Sequence, residues 1–285
     1  MSCVLFITAG SESWASSRMR AFWIAQHMGA RVSPLNDSPE LEDADTIIWQ
    51  KIVDVGFIRE HPELCHYWDV CDPMWWWSPQ PSRDTAGLMT GIVASNQALA
   101  DDFNLWYGEQ KAICIPDRLD LSHFPIQRQH VDASPVRLIW FGMSVNRIAL
   151  FAALVNVERL VANGYRIELT LCDDSPDKPL QITDMFPFYH VRWELNTENK
   201  IIAAHDLALL PPYPGPWGQV KSNNKHLTAW ACGVPSVDGQ DYAELERAVQ
   251  SVTWRSEMSR LMRLEVEKQW AVERSAEEWT RLLFA

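Results

Sequence analysis

What the sequence lacks narrows it first. No stretch reads as the roughly 20 consecutive apolar residues that span a bilayer as a helix; the opening run Cys3–Ala9 is too short. That run also lacks the basic start and small-residue cleavage site of a secretory signal, so a cytoplasmic location is expected, with peripheral attachment to a membrane left open. The six cysteines (Cys3, Cys65, Cys71, Cys114, Cys172, Cys232) contain no CxxC pair, and most sit in apolar runs where a thiol behaves as a small hydrophobe. Reduced thiols follow. The eight histidines form no HxxxH-like pattern, and no metal site is expected. No repeat of solenoid length is found. Basic charge is short as well: 25 Lys and Arg stand against 37 Asp and Glu, a net charge of −12. The deficit is uneven, because residues 1–125 hold 8 basic against 17 acidic side chains, net −9, and residues 126–285 hold 17 against 20, net −3. A protein that grips nucleic acid through its phosphates needs a cationic surface, so this balance counts against such a partner without excluding a local basic groove.

What is present is an ordinary globular composition, 47% apolar and 22% charged, in 285 residues. That length fits two modest domains better than one large one. Strand-like runs at Val4–Thr8, Thr46–Gln50, Gly91–Ala94 and Ala112–Ile115 alternate with helical periods at Ser17–Met28 and Asn96–Tyr107. Pro116–Pro135 follows neither period and reads as a connection. A second series then begins: strands at Val136–Phe141, Arg166–Cys172, Asp206–Leu210 and Val234–Val237, and helices at Asn146–Asn163, Glu198–Ala204, Ser222–Cys232 and onward to Leu283. Alternation of this kind predicts parallel sheets covered by helices, in two Rossmann-like domains at about residues 1–125 and 126–285, with the C-terminal helix free to pack back on the first.

The most informative stretch follows the loop Pro-Pro-Tyr-Pro-Gly-Pro-Trp-Gly, whose prolines and glycines exclude helix and central strand. It runs from Lys221 to Pro235, Lys-Ser-Asn-Asn-Lys-His-Leu-Thr-Ala-Trp-Ala-Cys-Gly-Val-Pro. Lys221 and Lys225, four apart, are expected on one side of a first helical turn, with Ser222 or Asn223 as the cap. Unpaired N–H groups, a favourable dipole and two ammonium groups suit a diphosphate, although a solvated surface pair has the same spacing.

These residues carry a resemblance to GT-B glycosyltransferases, especially the retaining family 4. His205-Asp206-Leu207-Ala208-Leu209-Leu210-Pro211 is similar to the family's Asp-containing strand ending in Pro, and Ala231-Cys232-Gly233-Val234-Pro235 to its Ala-x-Gly-x-Pro turn. Arg137–Gly142 resembles the first strand and glycine of the same domain, and Ser95–Leu99 with Ile115–Asp117 the end of the preceding one. The resemblance implies two Rossmann-like domains facing each other across a cleft, a UDP- or GDP-sugar donor, and metal-independent, retaining transfer to a hydroxyl acceptor, a saccharide or lipid-linked glycan. It also implies a donor site formed by Gly142, Ser144, Arg147, Asp173, Pro212, Ser222, Asn223, Asn224 and Thr228, with Lys221 and Lys225 at the phosphates. The family's two helix glutamates would fall at Val220 and Thr228, and neither is present.

On the acceptor side, the small-residue loop Gly10–Ser17 (Gly10, Ser11, Ser17) feeds a helix carrying Arg18 and Arg20, as a binding loop or as a plain βα turn. Asp69 and Asp72, three apart near a strand end, could orient hydroxyl groups or act as a general base. Trp75, Trp76 and Trp77 offer flat faces to a sugar, lipid or extruded base, or plug a loop. Asp173 and Asp174 also read as a solvated turn. Three alternatives stay open: a phage-type transferase acting on hydroxymethylated bases in DNA, a sugar-nucleotide 2-epimerase, and a non-catalytic sugar-nucleotide-binding protein.

Overall fold

A computed structural model describes residues 3–35, 44–177 and 184–284. The chain divides into two compact units, the first made of Met1–Asp120, Gln219–Ser222 and Ala271–Ala285, the second of Leu121–Gly218 and Asn223–Trp270. The chain thus passes back to the first unit twice.

In the first unit six parallel strands, β1 (Cys3–Thr8), β2 (Arg31–Pro34), β3 (Ala44–Gln50), β4 (Cys65–Val70), β5 (Gly91–Ala94) and β6 (Ala112–Cys114), stand in the order β2-β1-β3-β4-β5-β6. A parallel sheet covered on both faces needs continuous apolar strands, and Val4–Ile7 and Ile47–Trp49 are all buried. β4 escapes that pattern because Cys-His-Tyr-Trp-Asp-Val puts a histidine and an aspartate into the core. Both are buried and partnered: the Trp49 indole N–H donates to His66 Nδ1 at 3.2 Å, and His66 Nε2 lies 3.0 Å from the His61 carbonyl. The strand order reverses between β1 and β3, and it is beyond the carboxyl ends of strands at such a switch point that open parallel sheets bind ligands.

The helix expected from Ser17 is three segments, Ala15–Ser17, a π turn at Arg18–Phe22, and Trp23–Met28, ended by Gly29 with φ +67°. The expected linker begins later than Pro116, since Asp117, Arg118, Leu119 and Asp120 are all buried in the first unit. Arg118 anchors the C-terminal helix Val272–Phe284 through Glu278, both bonds 2.8 Å, and Ser275, 2.9 Å. Trp279 of that helix packs edge-on against Phe6, ring centroids 5.9 Å apart.

The second unit holds five parallel strands, β7 (Val136–Phe141), β8 (Ile167–Asp173), β9 (Phe188–Arg192), β10 (Leu207–Leu209) and β11 (Ser236–Val237), in the order β11-β10-β7-β8-β9. Read from the other edge this is the 3-2-1-4-5 Rossmann order, with its switch point between β7 and β10. Gly233, at φ +69°, makes the turn before β11, and its carbonyl accepts from Ser259 Oγ at 2.7 Å. Asp206 fastens the start of β10, taking Arg128 and the Arg137 backbone N–H, the latter at 2.9 Å. The Asp-Leu strand and the Gly-x-Pro turn thus have structural causes of their own.

Candidate functional site

In the second unit the candidate residues gather at the β7/β10 switch point. β7 is followed by Gly142, whose φ of +153° is open to glycine and strained for other residues. A Cβ built there would lie 2.7 Å from Lys225 Nζ, so the missing side chain is what admits the ammonium group. Lys225 sits in the first turn of the Asn224–Ala231 helix with its Nζ 4.8 Å from the centroid of the Trp140 ring, a cation–π contact. Asn223 occupies the cap position and its side chain makes no capping bond. His226, next on the helix, points to Ser236 Oγ at 2.9 Å, and burial together with the Lys225 charge pushes its pKa below the usual histidine value.

Several sequence expectations change here. The helix begins at Asn224 and not at Ser222, so Lys221 precedes it and shares no helical face with Lys225. Val220 and Thr228, the positions of the family's glutamates, are both buried, and Val220 is off the helix altogether and in the first unit. Burial leaves Thr228 poorly placed as a ligand. Arg147 does not stand ready for phosphates: its Nε and Nη2 hold Asp173 at 2.6 and 2.8 Å, and Nη2 also donates to the Ser175 carbonyl at 2.7 Å. Asp173 is fully buried and not a solvated turn. Burial alone would raise its pKa, but Arg147, the Ser175 N–H and His190 hold it below the ordinary carboxylate range. Ser144 is tied to the same loop through its N–H, which donates to Asp174 Oδ1 at 2.6 Å. Ser144, Arg147 and Asp173 thus lash the loop after β7 to the loop after β8 and fix the Gly142 turn. Pro212 is exposed in the loop before the Pro216–Gln219 helix.

In the first unit the carboxyl ends of the strands carry a continuous polar network. Asp69 at the end of β4 is fully buried against Arg20, which donates to it from Nε at 2.9 and 3.1 Å and from Nη2. Arg20 Nη1 reaches the Ile115 carbonyl at 2.7 Å and Asp117 Oδ1 at 3.1 Å. Burial works against this charge, yet Asp69 and Asp117 raise the Arg20 pKa above its usual value. Asp69 and Arg20 are therefore a buried pair, closed to an acceptor, which removes both from the expected set.

Asp72 sits at the rim of the network with two cations, Lys51 Nζ at 2.7 Å and Lys221 Nζ at 2.5 Å. Burial would raise its pKa, but Lys221 and Lys51 hold it below the ordinary carboxylate range. The strap Gln219–Ser222 is pinned across three strand ends: Asn96 Nδ2, beyond β5, donates to the Val220 carbonyl at 2.8 Å; Lys221 meets Asp72, beyond β4; and Ser222 Oγ donates to Asp117 Oδ2, beyond β6, at 2.6 Å. Ser222 and Lys221 thus belong with the first unit. Lys51 was missed from the sequence, although a lysine closing the run Thr-Ile-Ile-Trp-Gln was the available signal.

Of the Gly10–Ser17 loop, Ser11 is exposed and Gly10 half-buried under the Trp14 ring, where a Cβ would come within 2.8 Å. Ser17 is buried and donates to Gln50 Oε1 at 3.2 Å. Arg18 is buried too and ties down the loop through the Glu12 carbonyl at 3.0 Å. The three tryptophans separate. In the one-turn helix Met74–Trp77, Trp75 is 1% exposed and packs on Phe103 and Trp106, so it is core and not a binding face. Trp76 shares Asp102 with it, the two indole N–H groups donating to one oxygen at 2.8 and 2.7 Å. Trp76 and Trp77 remain exposed, 38% and 56%. All six cysteines are free thiols. Among the described residues no cluster of His, Cys, Asp or Glu could hold a metal ion, and no helix is long and apolar enough to cross a membrane.

The sequence matches no protein-family model and no curated protein. Solved structures do match. A glycosyltransferase from Rickettsia africae aligns at TM-score 0.66 and 8% identity, covering 99% of this chain and 97% of that one. TarM of S. aureus, solved with fondaparinux, α-GlcNAc-glycerol and UDP, aligns at TM-score 0.62 and 12% identity over 86% of this chain; the match spans only 56% of the TarM chain. An α-glucosyltransferase solved with UDP and a 13-mer DNA containing an HMU base aligns at TM-score 0.56 and 10% identity, covering 100% of this chain and 95% of that one. At such identities the likeness establishes the fold: an α/β chain of two Rossmann-like parallel-sheet domains, as in GT-B glycosyltransferases.

Proposed function

We propose that this chain is a glycosyltransferase that moves a sugar from a nucleotide diphosphate sugar to a hydroxyl acceptor, a saccharide or lipid-linked glycan, with retention as the family 4 resemblance implies. The observation that carries the reading is the meeting of Gly142 and Lys225 at the β7/β10 switch point, where ligands of open parallel sheets bind. There the Lys225 ammonium and the first N–H groups of the Asn224–Ala231 helix would stabilise the charge that grows on the departing diphosphate. UDP is the first candidate, because the TarM and DNA-bound α-glucosyltransferase structures were solved with UDP. The first unit would serve the acceptor. Asp72, held ionised by two lysines, is suited to accept a hydrogen bond from a hydroxyl group and is a weak base. The expected setting is the cytoplasm.

The test is a screen of UDP- and GDP-sugars for nucleotide release, preceded by thermal unfolding with UDP and GDP. Nucleotide at 100 times its Kd should stabilise the fold by about 2.7 kcal/mol. Neither a shift nor release with any donor would end the proposal.

The end-to-end match with the DNA-bound α-glucosyltransferase supports a second reading, transfer to a hydroxymethylated base. The net charge of −9 over residues 1–125, from 8 basic and 17 acidic side chains, and the burial of Trp75 weigh against it. A duplex containing hydroxymethyluracil should accordingly show no salt-sensitive mobility shift; a shift abolished by added salt would move the assignment to DNA.

A further inference from the structure

Lys51 is the single non-glycine residue with positive φ among the described residues, at +71°. The Ile52 N–H donates to the Gln50 carbonyl at 2.8 Å across it, closing a three-residue γ-turn of the strained, positive-φ kind. Two further bonds hold the strain in place: the Lys51 N–H donates to the Asp69 carbonyl at 2.8 Å, and the Trp68 indole N–H donates to the Lys51 carbonyl at 3.2 Å. Glycine would make this turn at little steric cost. A lysine held there against that preference is explained by what its side chain does. The turn closes β3, one of the two strands that flank the switch point of the first unit, and it aims the ammonium group at Asp72 Oδ2, 2.7 Å away. Lys221, the other partner of Asp72, comes from the strap and has the more exposed side chain.

We propose that Lys51 is a positioning residue: its strained turn fixes the Asp72 carboxylate, as an anion, to receive the acceptor's hydroxyl group. The inference rests on the glycosyltransferase reading and adds the acceptor-holding pair to it. With two cations on one carboxylate, Lys221 can shift when substrate arrives and Asp72 still keeps a counter-charge, which a part-buried anion requires. The groups that face Asp72 are Lys51 from the end of β3, Lys221 from the strap and Cys71 from its own loop, whose Sγ lies 3.8 Å from Oδ2; Arg20, Asp69 and Asp117 lie deeper in the same network.

The test compares Lys51→Gly and Lys51→Arg in the full chain, with UDP-glucose as donor and octyl β-glucoside as the hydroxyl acceptor. Lys51→Gly keeps the turn and removes the charge. It should fold, keep the UDP-induced thermal shift, raise the acceptor KM at least tenfold, and move the acid limb of the rate profile to higher pH, since Asp72 then loses one of the cations that favour its ionised form. Lys51→Arg should restore both. Carbon-13 NMR of the Asp72 carboxyl group should show the same upward displacement without any substrate. Unchanged acceptor KM and an unmoved Asp72 titration in Lys51→Gly would overturn the inference, as would loss of the UDP shift, which would put Lys51 in the donor site or the fold. A wild-type chain that transfers to no acceptor would overturn the glycosyltransferase reading, and this inference with it.

Discussion

Lys225→Ala should lower kcat/KM for transfer by about 10²- to 10³-fold, the usual loss when one electrostatic group that faces a developing anion is removed. The side chain is only half-buried and lies over the Gly142 turn and the Trp140 ring, so its loss should leave the melting temperature near the wild-type value. The UDP-induced thermal shift should shrink with the rate, because the same ammonium group meets the diphosphate before and during departure. Lys221→Ala should behave differently. Its ammonium group pairs with Asp72 in the first unit, so the expected change is in acceptor KM, with the UDP shift retained. Gly142→Ala should reproduce part of the Lys225 defect, since a methyl group 2.7 Å from Nζ must push the ammonium group aside. Steady-state rates against donor concentration separate these cases. Full turnover by Lys225→Ala would remove the diphosphate from this helix.

The contrast between the two lysines shows how far the sequence could be read. The strands were legible wherever both faces of a parallel sheet are buried, as in Val136–Phe141 and Gly91–Ala94, which the structure reproduces to the residue. Of β4 only the end near Asp69 was legible, because His66 and Asp69 are core residues satisfied by Trp49 and Arg20, partners 17 and 49 positions away. The same distance hid the nature of the candidate groups. Nothing in the local sequence distinguishes Asp69, sealed by Arg20, from Asp72, which sits at the rim with two lysines three residues later. Spacing put Lys221 and Lys225 on one helical turn, but the N-terminal boundary of a helix is set by its cap and by what the preceding residues bind. Here Val220, Lys221 and Ser222 are held by Asn96, Asp72 and Asp117, so the helix starts two residues later than the periodicity predicts. Lys51 was invisible for a related reason: a strained turn is a property of φ and of the bonds that lock it, and composition carries neither.

Asp69→Ala should destabilise the chain by about 3–5 kcal/mol, the range for removing one partner of a buried ion pair. That is a large share of the roughly 5–15 kcal/mol that separates folded from unfolded domains. Arg20 is fully buried, and in the variant its guanidinium group would keep only the Ile115 carbonyl and Asp117 as partners. Asp117 in turn accepts the Ser222 hydroxyl, so the damage should spread to the strap and loosen Lys221. The urea midpoint of the full chain measures the first effect, and proteolysis between Gln219 and Ser222 reports the second. Asp69→Asn should be milder, because an amide oxygen still accepts from Arg20 while the charge is lost. The double variant Arg20→Met with Asp69→Leu separates burial from pairing: it removes the stranded guanidinium group but leaves the buried Asp117 without Arg20, so it should recover only part of the lost stability. A midpoint for Asp69→Ala equal to wild type, with transfer abolished, would return Asp69 to the site and make Arg20 its ligand-side partner.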